Sequence, residues 1–125
     1  MIINDPETLA EVSAAFARYE AALVGNDVAT LEALFWVSPH VVRYGATENL
    51  HGHDEITAFR KARPSKGLAR TLRHTVIVTF GCDFATASTE FTRDGEPRVG
   101  RQMQSWARLP EGWRIVAAHV SWMDG

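Results

Sequence analysis

Cysteine is nearly absent from this 125-residue chain: Cys82 stands alone. A single thiol closes no internal disulfide and supplies no cysteine-rich metal site, and it agrees with a reducing compartment. Lysine is scarce as well, with Lys61 and Lys66 beside 11 arginines. Long apolar runs are missing. Stretches such as Ile115 to Ala118 fall far short of the roughly 18 residues that a spanning helix needs, so no membrane partner is expected. Met1-Ile2-Ile3-Asn4-Asp5 has no basic flank and opens no sustained apolar stretch, so no secretory signal is read there and a cytoplasmic location is expected. A glycine-rich phosphate loop is also lacking. At this length the chain can build one core, which predicts a single domain over residues 1–125.

The formal net charge of -2 hides an asymmetry. Residues 1–32 carry six acids and one base, Arg18. Residues 60–74 carry Arg60, Lys61, Arg63, Lys66, Arg70 and Arg73 and no acid. Nucleic-acid binding would call for a basic domain with aromatics between the bases. The stretch from Lys61 to Phe80 holds no aromatic in between, so no nucleic-acid partner is expected. The preference for arginine over lysine fits either genome composition, taken here as the main cause, or planar recognition of anions.

Asn4-Asp5-Pro6-Glu7 is a helix start, with a polar cap, proline at the first helical position and an acid at the positive end. Leu9, Val12, Phe16, Tyr19 and Leu23 then share one stripe. Gly25-Asn26 ends that helix, and Asp27 caps a second one whose Val28, Leu31, Leu34 and Phe35 share a face, predicted to run to Ser38-Pro39. His40 to Gly45 reads as a short strand with Val41 and Arg43 on one side, followed by a turn over Ala46 to Gly52. A third helix, from His53 or Asp54 to Arg63, groups Ile56, Phe59, Arg60 and Arg63. Arg70 to Phe80, Phe84 to Arg93, Arg98 to Leu109 and Trp113 to Trp122 read as four strands joined by tight turns.

Three helices followed by a bent antiparallel meander predict an α+β fold in which the helices cover one face of the sheet. Both faces of the last strand are apolar, so a homodimer through the uncovered face is expected.

The order of elements, together with Gly100-Arg101-Gln102-Met103-Gln104-Ser105-Trp106, Gly112 to Ser121, Phe80 to Ala85 and Thr89-Glu90-Phe91, resembles the nuclear-transport-factor-two-like superfamily, and within it the AtzH-like family. The resemblance runs over nearly the whole chain. It implies a cone-shaped half-barrel with a pocket between the curved sheet and the first helix. For activity it implies a decarboxylating amidohydrolase that converts dicarboxyurea to allophanate without a cofactor. The superfamily also includes isomerases, dehydratases and binding modules, so the fold by itself supports a pocket and not a reaction. Met103 stands where the resemblance leads one to expect Ser or Thr, which predicts an altered pocket.

The candidate catalytic residues are Tyr19 and His119. Tyr19 lies on the buried stripe, where its hydroxyl needs a partner, either as proton donor or as an ordinary core tyrosine. His119 is a proton carrier or a core histidine, grouped by alternation with Trp113, Ile115, Ala117 and Ser121. The binding candidates are Arg43, Arg60, Gln104, Glu90, Ser121 and Trp36. Arg43, if inward, needs an anion, either a ligand carboxylate or an internal Glu48 or Glu90. Gln104 points inward by resemblance to the association domain of calmodulin-dependent kinase, as a neutral donor to a ligand or as part of a structural network. Glu90, on a side with Ser88 and Thr92, is either a pocket base for isomerase or dehydratase chemistry or the partner of an arginine. The His51-Gly52-His53 cluster has no second set of ligands, so no metal is expected. Ser121, His119 and Asp83 lack a nucleophile turn, and Cys82 beside Asp83 is no activated thiol. The expected ligand is a small carboxylate-bearing molecule, held in a mainly apolar cavity with one fixed positive head. The alternatives are a non-catalytic dimeric binding module and an isomerase or dehydratase.

Overall fold

The computed structural model describes residues 1–124. Helix α1, Pro6–Val24, starts where the Asp5 carboxylate accepts from the Thr8 backbone N–H at 3.1 Å and its hydroxyl at 2.8 Å. Its stripe places Val12, Phe16, Tyr19 and Leu23 in the core. Helix α2, Val28–Leu34, is capped by Asp27 and stops short of the predicted Ser38-Pro39. Phe35 turns extended there, bridges Ile115 in parallel, and lets the Trp36 N–H donate to the Ile115 carbonyl at 3.0 Å. Pairing with the sheet, together with complete burial of the Phe35 ring, overrides helical periodicity.

Strand β1, Val42–Tyr44, follows, with Val41 and Arg43 both buried as their alternation requires. The predicted turn after it contains a second short strand, β2, Asn49–His51, which folds back antiparallel on β1. Helix α3 spans His53–Ala62 and buries Ile56 and Arg60. The meander is β3 (Thr71–Phe80), β4 (Phe84–Thr92), β5 (Val99–Leu109) and β6 (Gly112–Met123). The six strands form one sheet in the order β2-β1-β6-β5-β4-β3, antiparallel except for β1 beside β6. This is the α+β architecture read from the sequence, with the core between the helices and one face of the sheet. No helix among the described residues is long and apolar enough to cross a membrane.

A break in the alternation decides which side chains meet. Ser105 pairs with Ala117 but Trp106 pairs with Ile115, so Val116 is an extra residue in β6. Such a bulge reverses the parity of the strand beyond it. Trp113 and Ile115 therefore face the helices with Ala118, while Ala117 and His119 face outward. The grouping of His119 with Trp113 and Ile115 is thereby corrected.

Candidate functional site

Helices α1 and α3 and the inner face of the sheet enclose a cavity of about 160 Å³. A cavity of about 150 Å³ takes a molecule the size of benzene, so this one suits a ligand of few atoms. Leu23, Leu68 and Val120 and the rings of Phe59, Phe91 and Trp122 supply its apolar wall. Gly100 makes room for one of those rings, because a Cβ there would overlap Phe91.

The rest of the wall is far more basic than one positive head. Arg43, Arg60, Arg63, Arg70 and Arg93 all line the cavity. Two of the five have carboxylate partners. Arg43 Nη1 donates to Glu48 Oε1 at 3.0 Å, as the internal-pair alternative expected, and Arg70 donates to both oxygens of Glu20 at 2.8 and 2.6 Å. Among the described residues, Arg60, Arg63 and Arg93 have none. Arg60 is 1% exposed, and its Nη2 donates to the Tyr19 hydroxyl oxygen at 2.7 Å while Nε and Nη1 are buried without a partner. Arg63 reaches only Asn26, at a marginal 3.5 Å. The Nε atoms of Arg43, Arg63 and Arg93 are likewise buried and unpartnered.

Aromatic faces hold these cations in place. Arg70 lies 4.4 Å from the Phe91 ring centre, Arg43 lies 5.2 Å from that of Phe59, and Arg93 sits over both Phe91 and Trp122. Burial and the crowding of like charges both bear on the acidity of these groups. Burial, then the charge of Arg60, pulls Arg63 down to about 10. For Tyr19, burial alone pushes the phenol up, but the charges of Arg60, Arg43 and Arg70 together outweigh it and hold the pKa below its ordinary value. Arg60 is held below its usual range chiefly by burial, and it remains a cation at neutral pH. The arrangement is a small, cationic hollow with a phenol in its wall as a proton donor.

A family profile matches the full length, residues 1–125, under the description AtzH-like. The chain belongs to the AtzH-like family. A comparison with curated proteins finds no match. Among solved structures, a Pectobacterium atrosepticum protein of unknown function is 64% identical to this AtzH-like chain, with a TM-score of 0.96 over 98% of this chain and 95% of the other. A cystatin-like fold protein of Burkholderia xenovorans is 53% identical, also at a TM-score of 0.96, over 100% and 98%. A nuclear-transport-factor-two-like protein of Novosphingobium aromaticivorans shares the fold at 22% identity and a TM-score of 0.74, over 95% and 84%.

Of the residues singled out in the AtzH-like sequence, the cavity brings together Tyr19, Arg43 and Arg60 and leaves the others elsewhere. His119 is exposed on the outer face of the sheet, its ring edge-on to Tyr44 at 5.9 Å, because of the bulge at Val116. Ser121 accepts from Arg101 Nε at 3.2 Å on that same face. Glu90 also points outward, to Arg73 at 3.0 Å and His74 at 3.1 Å, so it is no pocket base. Trp36 packs on the core beside His40, away from the cavity. Gln104 is inward and buried but accepts from Trp106 Nε1 at 3.0 Å and does not line the cavity. Met103 is 60% exposed on the outer face and does not line this cavity. His53 Nε2 lies 2.8 Å from the Glu32 carbonyl and His51 lies against Tyr44, so these two rings serve separate contacts.

Sequence reasoning missed Arg63, Arg70, Arg93 and Gln102. The signal for the first two was present in the acid-free stretch of residues 60–74, which lays its arginines along α3 and into the start of β3.

Proposed function

We propose that this chain removes carbon dioxide from a small carboxylated urea or amide, with Tyr19 as the acid. The reading comes from the AtzH-like family resemblance, and one observation carries it: the Tyr19 hydroxyl, gripped by Arg60 at 2.7 Å, lines a hollow where three guanidiniums have no carboxylate partner among the described residues. A substrate with two carboxylates, such as dicarboxyurea, supplies the missing negative charge.

The chemistry then asks little of the protein. Tyr19 gives its proton to the nitrogen that bears the departing carboxylate. The C–N bond breaks, its electron pair stays on nitrogen, and carbon dioxide leaves. One carboxylate charge is consumed and one tyrosinate charge appears, so the negative charge inside the arginine ring is conserved through the step. Arg60 stabilises the tyrosinate, and water later returns the proton. No nucleophile and no bound cofactor enters the scheme. Donation of this kind typically contributes about 10² to 10⁴ in rate, and the fixed arginines contribute the positioning.

Isomerase or dehydratase chemistry lacks support, because its intended base, Glu90, is on the outer face, the cavity acid Glu48 is engaged by Arg43, and Glu20, outside the lining, is engaged by Arg70. The outer face, with Met103, Tyr44 and Ala117, is the surface proposed for the homodimer. Incubation of the purified chain with freshly prepared dicarboxyurea should release carbon dioxide catalytically. Saturable binding without release would reduce the protein to a carboxylate-binding module.

A further inference from the structure

We infer that Gln102 is the specificity residue that reads an uncharged carbonyl oxygen on the ligand, so that the cavity prefers ureas, amides or ketones to plain dicarboxylates of the same length. The inference rests on the anion-pocket reading above.

Gln102 is 2% exposed and lies on the inner face of β5, opposite Val120 and Thr89. Which way its amide points is fixed by chemistry. Arg70 Nη2 lies 3.0 Å from it, and a guanidinium only donates, so the atom facing Arg70 must be the carbonyl oxygen Oε1. Arg70 cannot turn away, because Glu20 holds it at two points and its plane lies over Phe91. The chain Glu20, Arg70, Gln102 thus locks the amide, and its Nε2 is left buried with no partner. A buried donor without an acceptor is costly and rare in native proteins.

The acceptor that fits is neutral. Arg60, Arg63 and Arg93 compete for any carboxylate in the hollow, and a charge-assisted bond to a guanidinium outmatches one to an amide N–H. What remains for Nε2 is an oxygen without full charge, held between acid groups that the arginines take. In a dicarboxylated urea that oxygen is the central carbonyl. Two residues along β5 on the same face, Gln104 also has an unpartnered Nε2, but its oxygen is taken by Trp106 and it does not line the hollow.

Two five-carbon dianions isolate the effect: 3-oxoglutarate has a central carbonyl and glutarate has none. Titration calorimetry on the whole chain, in the cold with fresh 3-oxoglutarate, should show it binding about tenfold more tightly than glutarate. Gln102→Met should bring that ratio to about one while glutarate affinity is kept. Gln102→Glu, which retains the shape and the bond to Arg70 but offers no N–H, should also abolish the ratio, whether or not the methionine variant folds. Equal affinities in the wild type, or a ratio that survives either substitution, overturn the role of Gln102. Failure of both dianions to bind overturns instead the anion-pocket reading beneath it.

Discussion

Arg60 Nη2 donates to the Tyr19 hydroxyl oxygen across 2.7 Å, joining α3 to α1 where the two residues are only 1% and 2% exposed. A phenol in that position should titrate unlike one in water. Tyr19 and Tyr44 are the only tyrosines, so a Tyr44→Phe background leaves Tyr19 alone for ultraviolet titration. Its midpoint should lie below the ordinary 10.0. Arg60→Met removes the main opposing charge and leaves burial, so the midpoint should move up. Because the acid form donates the proton, activity should fall as pH rises through the wild-type midpoint.

Tyr19→Phe takes away the only hydrogen-bond partner of a fully buried guanidinium. Leaving that donor unsatisfied should cost about 1–3 kcal/mol in urea unfolding. If the midpoint is unchanged, water is taking the place of the Tyr19 hydroxyl at Arg60.

Glu48→Gln should move stability and affinity in opposite directions. Its carboxylate neutralises Arg43, and Thr47 and Arg43 together draw its pKa below the ordinary value against the opposing effect of burial. Without that charge the fold should lose about 1–3 kcal/mol, while glutarate should bind more tightly because Arg43 is freed. Loss of both would place Glu48 in the architecture of the wall alone.

Gly100→Ala puts a methyl group into the Phe91 ring, which must shift. Overpacking of this kind should destabilise by about 1–3 kcal/mol, seen by thermal unfolding, and should weaken dicarboxylate binding because Phe91 supports Arg70 and Arg93. Binding at wild-type strength would mean that the ring does not set the arginine geometry.

Met103 is 60% exposed on the outer face, in a patch with Val42, Tyr44 and Ala117. Met103→Asp should convert a dimer to a monomer in sedimentation equilibrium. A monomeric wild type would contradict the homodimer.

Much of this was legible in the sequence, and the failures have physical causes. The Asp5 cap, the stripe through Tyr19 and the inward Arg43 follow from local rules that the fold obeys. His119 was misplaced because one inserted residue, Val116, reverses β6, and no glycine marks the bulge. Gln102 and Gln104 share a face, so alternation alone does not choose between them; the indole of Trp106 does. Arg60, Arg70 and Arg93 come from α3, the approach to β3 and the end of β4, and only the assembled topology brings their heads to one hollow.

The most direct test of the central claim is a single-turnover measurement of carbon dioxide released from ¹³C-labelled dicarboxyurea, with enzyme in excess. The account predicts a first-order burst in the wild type that slows by about 10² to 10⁴ in Tyr19→Phe while dianion binding persists. Release at an equal rate from the two proteins, or none from the wild type, would contradict it.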